Sequence, residues 1–458
     1  MTDVLKFGGT SVGTAERIRD VACLVARRGG DPCVVVVSAM GGVTDELVGL
    51  KISSNGKERA AADAGLERLA QRHRHALDAL QLPSGEKGAT AAAVEEELDR
   101  ARILSTGISL LEEISPRTSD ALLSVGEMIS SRLVAPALRA AGIPAVWVDP
   151  RDVLVTDAAH GAALPDEAAT AANVAARVLP ELDAGRVVVT GGFVGATREG
   201  VTTTLGRGGS DYSAALLGAA LKDAGRAVGA IEIWTDVDGI LTADPRIVPA
   251  ARPVPEVSAA EAAELAFFGA KVLHPATIRP AVARGIPVRV RNSFRPDAPG
   301  TTVRAEAAGV GVRALAMRRG VAAVFVGNPR MLLAHGYAAR VFSVFETHRV
   351  PVDVIATSEV SISITVDAKA PLDAVVKDLS SFAEVSVLPG LAVVSVAGKA
   401  LRTTAGIAHR VFEAMGDVNV VLISQGASDT NMTFVVAEKD APEALRRLHR
   451  EFFEGTKT

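Results

Sequence analysis

Leu5-Lys6-Phe7-Gly8-Gly9-Thr10-Ser11-Val12 opens the chain with a short apolar run that carries one lysine into a glycine turn, after which helical periodicity begins. A strand, a glycine turn and a helix in that order aim a fixed positive charge and a row of backbone N–H groups at one point, an arrangement suited to phosphate. Taken alone, the lysine could equally be a solvated edge charge, because glycine-rich turns have many uses. The stretch that answers it lies far down the chain, in Thr203-Thr204-Leu205-Gly206-Arg207-Gly208-Gly209-Ser210-Asp211.

Working outward, β-branched runs end repeatedly in glycine or polar turns. Val34-Val35-Val36-Val37 leads into Ser38-Ala39-Met40-Gly41-Gly42, Val187-Val188-Val189-Thr190 into Gly191-Gly192-Phe193, and Ile231-Glu232-Ile233-Trp234 into Thr235-Asp236-Val237-Asp238-Gly239. Buried runs of this kind, separated by amphipathic helices, predict an α/β domain over residues 1–303 with a mostly parallel sheet sandwiched by helices. Such sheets bind ligands where their strands end. Residues 51–120 are rich in Ala, Glu and Arg and read as a helical insertion packed on the sheet. Past Pro299-Gly300 the pattern changes. Gly336-Tyr337-Ala338-Ala339-Arg340-Val341-Phe342 returns as Gly406-Ile407-Ala408-His409-Arg410-Val411-Phe412, and Val350 to Ile355 as Val418 to Ile423. Two copies are too few for a solenoid, so a pair of small βαββαβ domains is expected, over 304–385 and 386–458.

The bulk composition narrows the class. Hydrophobic residues reach 48% but aromatics only 4%, so the cores must be built from Ala, Val and Leu. With 49 basic against 53 acidic residues there is no excess to suit nucleic acid. Cys23 and Cys33 cannot make a disulfide framework, which points to an intracellular, cytoplasmic protein. Neither a signal peptide nor an uninterrupted membrane-spanning run is evident. The sequence has no Walker motif, and the Gly206 to Asp211 stretch lacks the last glycine of a dinucleotide fingerprint.

Five motifs in register resemble the aspartate kinase family: Lys6 to Val12, Val37 to Thr44, Gly206 to Asp211, Trp234 to Gly239, and Gly269-Ala270-Lys271-Val272-Leu273-His274-Pro275. The resemblance covers essentially the whole chain, and its paired C-terminal units are similar to ACT amino-acid-sensing modules. It is closest in pattern to the single-function, lysine-sensitive type. It implies transfer of the ATP γ-phosphoryl group to the side-chain carboxylate of L-aspartate, the first step toward lysine, threonine and methionine. A carboxylate is already an ionised nucleophile at neutral pH, so positive charge along the transfer path matters more than a general base. The resemblance makes Lys6 and Asp211 the catalytic pair, Lys6 as the cation and Asp211 as the group that fixes it. Gly8, Gly9 and Thr10 would give N–H groups to the nucleotide, and Thr235, Asp236, Arg246 and Lys271 would complete the ATP contacts. Leu241 stands where the family often has tyrosine, keeping apolar packing but losing a hydroxyl. Arg207, whose fork suits a carboxylate, and Glu127, which suits an amine, would hold aspartate with Thr44, Phe193, Gly208 and Ser210. Mg²⁺ would arrive with the phosphates, with no direct protein ligand assigned.

In the C-terminal region the resemblance implies an effector site for L-lysine at Met331, Tyr337, Ala338, Val352, Asp353, Ser358 and Glu359, with Thr357 alongside. Threonine is the competing effector, since one fold serves many ligands. On the bland reading, Ser358 and Glu359 form a solvated turn. Small sheets with open edges also predict a homodimer or higher oligomer. The rival from another class is a catalytically inactive amino-acid-binding regulator descended from the kinase.

Overall fold

The computed structural model describes residues 1–55, 59–267, 273–327 and 335–455. The chain forms two compact units: residues 1–239 with 273–306, and residues 240–272 with 307–458. The first covers most of the expected 1–303 domain, but residues 240–272 gather with the C-terminal part instead.

The first unit is organised by strands β1 (Thr2–Phe7), β2 (Val34–Val37), β3 (Ala145–Trp147) and β4 (Val187–Gly191), the hairpin β5 (Val194–Ala196) and β6 (Thr202–Thr204), and β7 (Val228–Thr235). After β8 (Glu256–Ser258), which belongs to the second unit, come β9 (Val288–Asn292) and β10 (Thr301–Arg304). The sheet of the first unit runs β3-β4-β2-β1-β7-β9-β10, parallel except for the last pair. Being covered on both faces, its strands read as near-continuous apolar runs, and all of Val34–Val37 is buried.

Successive side chains of β1 alternate across the sheet. Leu5 and Phe7 enter a core shared with Ile18 of helix α1 (Ala15–Ala26) and with Ile129 and Leu133 farther along. Val4 and Lys6 face the other way. The Ala/Glu/Arg-rich insertion folds as expected into helices α2 (Val43–Asn55), α3 (Arg59–Ala79) and α4 (Ser84–Leu111), followed by α5 (Pro116–Leu123) and α6 (Val125–Ala140). Pro116–Ala140 is long and apolar enough to cross a membrane, but 83% of its apolar window is buried inside the unit. It is a core helix here. Two short helices, α7 (Glu167–Asn173) and α8 (Leu179–Asp183), precede α9 (Gly209–Asp223), which covers the Val4 and Lys6 face. There Gly218 lies so close that a Cβ would stand 2.8 Å from Ile231 Cδ1.

The second unit holds α10 (Ala259–Phe267); helix α11 (Pro275–Ala283) returns to the first. The centre of the second unit is a pair of long antiparallel strands, β11 (Gly311–Gly327) and β14 (Glu384–Lys399), paired from Gly311 opposite Lys399 to Gly327 opposite Glu384 with register shifts between Val312 and Ala314 and between Arg318 and Ala323. Helix α12 (Tyr337–Thr347), strands β12 (Ile355–Thr357) and β13 (Ser361–Asp367) and helix α13 (Leu372–Leu379) build on the C-terminal half of β11. Helix α14 (Ile407–Met415), strands β15 (Val420–Gln425) and β16 (Asn431–Ala437) and helix α15 (Ala441–His449) build on the C-terminal half of β14. The order is β12-β13-β11-β14-β16-β15.

The two modules therefore share a ribbon and are not a contiguous pair divided between residues 385 and 386. Strand β11 begins ahead of the first module, and its Leu315 lies in the core of the second with Val394, Val411, Phe434 and Leu448. Ala243 and Val248 join that core from residues 240–272.

Candidate active site

Parallel strands β1, β2, β4 and β7 end on the same side of the sheet, and the motif residues follow those ends. Lys6 lies beside Ile233 of β7 and Val36 of β2, one residue before β1 stops. Because it faces α9, its Nζ reaches Asp211 Oδ1 in the first turn of that helix at 2.7 Å. An anion is favourable at a helix N-terminus, so Asp211 is held there as well as by Lys6. The helix starts sharply because Gly208, in the left-handed region (φ 72°), caps it.

The glycines here are required by close approach. A Cβ on Gly9 would lie 2.8 Å from the Ala39 carbonyl oxygen, and one on Gly192 would lie 2.6 Å from Ser210 Cβ. Phe193 itself has a positive φ of 63°, and the Val194 N–H donates across it to the Gly192 carbonyl at 2.6 Å. That tight, strained turn is anchored where the Phe193 N–H donates to Ser213 Oγ at 2.9 Å.

These elements surround a cleft of about 780 Å³ lined by Lys6, Gly9, Thr44, Glu127, Phe193, Arg207, Gly208, Ser210 and Asp211. Glu127, in the first turn of α6, is buried, and its Oε2 has no hydrogen-bond partner. Burial pushes its carboxyl up to about 8, against weaker opposing effects from the Ala39 and Glu127 amides and the Lys6 charge. Arg207 is exposed on the rim and makes no ion pair among the described residues. An orphaned buried carboxylate and an unpaired guanidinium in one cleft are complementary to a zwitterion.

Other expected residues lie around it. Thr10 is exposed in the short 3₁₀ helix Gly9–Val12, whose first N–H groups have no partner within the turn. Gly8 does not offer its N–H as expected, because β1 continues its pairing one residue further and that N–H donates to the Trp234 carbonyl at 3.0 Å. Thr235 and Asp236 sit at the end of β7, with Thr235 Oγ1 donating to Asp236 Oδ1 at 3.1 Å. Arg246 belongs to the second unit, where it is exposed and held in its own turn by Asp244 at 2.6 Å. Lys271 lies outside the described residues.

Among the lining residues to which the sequence reading gave no role are Lys51 of α2, and Asp120 and Thr204. Lys51 falls seven residues after Thr44, on the same helix face, and that spacing was the available signal.

The second unit has its own unusual carboxylate. Asp353 is 7% exposed, with Oδ1 2.9 Å from Arg318 Nη1 and Oδ2 unpartnered. Burial raises its pKa, and Arg318 opposes the rise. The Tyr337 hydroxyl, at the start of α12, is likewise buried without a partner, while its ring meets Phe382 edge-on at 6.0 Å. Val352 is half-buried and Ala338 exposed. Ser358 and Glu359 are exposed in the turn between β12 and β13, where Ser358 and Ser361 hydroxyls lie 2.8 Å apart. Met331 lies outside the described residues. Arg318 was not foreseen.

Residues 1–292 match the amino acid kinase family, and residues 325–378 and 394–452 match the ACT domain. The chain is 38% identical over 465 residues to lysine-sensitive aspartokinase 3 of Escherichia coli (strain K12), covering 98% of this chain and 99% of that protein. It is also 38% identical over 475 residues to chloroplastic aspartokinase 1 of Arabidopsis thaliana, covering 99% of this chain and 81% of that protein. Among solved structures, E. coli aspartokinase III in complex with lysine and aspartate (T-state) aligns with a TM-score of 0.83 at 38% identity over 99% of each chain. The same enzyme in complex with aspartate and ADP (R-state) aligns at 0.81 and 38% identity, over 99% of this chain and 100% of that one. Identity at this level, sustained from one end to the other, makes the chain a member of the aspartokinase family.

Proposed function

We propose that this chain is an aspartate kinase: a side-chain carboxylate oxygen of L-aspartate attacks the γ-phosphorus of ATP, the bond to the bridging oxygen breaks, and 4-phospho-L-aspartate and ADP leave. The observation that carries this reading is the Lys6–Asp211 pair, 2.7 Å apart, in the same cleft as Glu127 and Arg207. Phosphoryl transfer between two anions depends on positioning and charge neutralisation. Lys6 would face the transferring oxygens while Asp211 restrains it. Arg207 would take the α-carboxylate by its two-pronged fork and Glu127 the α-ammonium. Thr44, Phe193, Gly208 and Ser210 would complete the aspartate site; Gly9, Thr10, Thr235 and Asp236 the nucleotide side.

Mg²⁺ would accompany the nucleotide. Among the described residues no group of three His, Cys, Asp or Glu could cage it, and Asp211 is engaged by Lys6, so the donor set suits an ion carried on phosphate oxygens and water. A cytoplasmic location is part of the same proposal, and the burial of Pro116–Ala140 supports it only against a membrane span.

A hydroxamate assay with MgATP and L-aspartate tests the activity. Acyl-phosphate formation with aspartate and not with succinate is expected. No product with aspartate would instead favour the inactive regulator.

Control by L-lysine is part of the same proposal: the lysine-sensitive E. coli relative and the lysine complex support it. Asp353 Oδ2, buried and without a partner, would accept the effector's ammonium group, and Tyr337, Ser358 and Glu359 would complete the site. Edge strands β12 and β15 leave Ile355 38% and Ile423 43% exposed, which suits completion by a second copy. Light scattering of the purified protein should give a dimer or larger; a stable monomer with and without lysine would remove that part.

A further inference from the structure

The cleft contains one buried carboxylate that the proposed chemistry does not use. Asp120, in α5, is completely buried. Its Oδ2 accepts from His160 Nδ1 at 2.8 Å, from the Gly161 N–H at 3.1 Å and from the Thr204 N–H at 3.1 Å, and its Oδ1 accepts from the Thr204 hydroxyl at 2.6 Å. Its donors come from two segments distant in sequence, a turn after residue 157 and the end of β6.

Those two segments are also stitched to each other. The Ala163 N–H donates to the Thr204 carbonyl at 3.0 Å, and the Thr156 and Thr203 hydroxyls meet at 2.6 Å. Gly206, with φ 75°, sits so near Gly161 that a Cβ would lie 3.0 Å from its carbonyl oxygen. The Leu205 N–H donates to the Phe193 carbonyl at 2.9 Å. The backbone that carries Arg207 and Phe193 is thus bound to this block, and Asp120 fastens the block to α5. Helix α5 runs almost directly into α6, which carries Glu127.

We infer that Asp120 is a positioning residue for the amino-acid acceptor, tying the Arg207 turn to the Glu127 helix and so setting the span between the α-carboxylate and α-ammonium subsites. This rests on the assignment of Arg207 and Glu127 above. A buried carboxylate that accepts several hydrogen bonds is rigid, and removing its acceptor capacity leaves buried donors unpaired. The span, and with it aspartate binding, should loosen before ATP binding does.

Asp120→Asn keeps the shape but places an amide against a donor. It should raise KM for aspartate about tenfold while changing kcat and KM for ATP less than about twofold. Thr204→Val, which removes only the hydroxyl, should move aspartate KM in the same direction by less, and Thr204→Ser should restore it. If Asp120→Asn does not fold, the Thr204→Val and Thr204→Ser pair decides alone. Equal rises in both KM values with a lowered Tm would mean a merely structural role and overturn the inference, as would an unchanged aspartate KM. Arg207→Lys separates the two levels. If it raises aspartate KM but the Asp120 and Thr204 variants do not, the inference fails and the site assignment stands. If it leaves aspartate KM unchanged, the assignment fails and the inference with it.

Discussion

Glu127 in the first unit and Asp353 in the second are both buried carboxylates with one oxygen unpartnered, yet they are kept in opposite ways. Glu127 has no cation in contact among the described residues, and burial dominates, pushing its carboxyl up to about 8. Asp353 touches a guanidinium of its own chain, Arg318, at 2.9 Å. An amine entering the first site must displace a proton; one entering the second meets a carboxylate already engaged by a cation. On the proposed assignments, amine binding in the catalytic cleft would be coupled to protonation, and effector binding to competition between cations.

The sharpest way to break the comparison is Lys6→Ala. It removes the charge that opposes Glu127 protonation and the cation assigned to the transferring group, so turnover should fall about a hundredfold, the usual size for losing one preorganised contact. Steady-state kinetics on folded protein measures it, and turnover like the wild type would remove Lys6 from the mechanism.

Glu127→Gln should raise aspartate KM about tenfold to a hundredfold, as expected when a charged hydrogen bond becomes a neutral one. It should also abolish a proton signal. In the wild type, binding below about pH 8 should release about one proton per aspartate, because the ammonium stabilises the ionised carboxylate. Calorimetry in buffers of different ionisation enthalpy reads this; equal release from both proteins would place the proton elsewhere.

Asp353→Ala should raise the lysine concentration for half-inhibition about tenfold, within the usual range of allosteric couplings. The ratio of inhibited to uninhibited rate is the readout, and an unshifted curve would show that Asp353 is not the acceptor. Glu127→Gln should leave that curve in place.

The smallest effect is on ligand-free stability. The folded chain holds a Glu127 proton that the unfolded chain releases near its ordinary value of 4.5, so this contribution is full below that pH and lost as pH rises to about 8. Between about pH 6 and 8 the wild-type Tm should fall a few degrees more than that of Glu127→Gln. Parallel curves would contradict the raised pKa.

The sequence showed the parts of this comparison that depend on local patterning. Lys6 and Asp211 each occupy a local strand-turn or turn-helix pattern, ambiguous alone and decided by the two stretches together with the family resemblance, and alternation along β1 is enough to send Lys6 toward α9. Glu127 carried no such mark, and its resemblance to a family position located it. Asp120 sits in an ordinary helix, and its partners lie 40 to 84 residues away, so nothing in its neighbourhood predicts them. Arg318 was hidden for a similar reason: residues 304–385 were expected to form one module, whereas the two halves of β11 serve different cores. Gly8 shows the reverse error, a glycine in a phosphate-type motif whose N–H is spent on sheet pairing.

The divided ribbon limits how the sensing modules can be exchanged between relatives. A fragment beginning at residue 307 would carry both modules by sequence, yet leave behind Ala243 and Val248, which help fill the second module's core. Cutting between residues 385 and 386 would strip the same module of its β11 neighbour. During synthesis, residues 311–318 emerge well before their partners in β14, so this half of the ribbon must wait unpaired while the first module is made. Non-local pairing of that kind is slow and aggregation-prone. Chimeras meant to exchange effector specificity should therefore move individual side chains around Asp353 within an intact chain, and not whole modules.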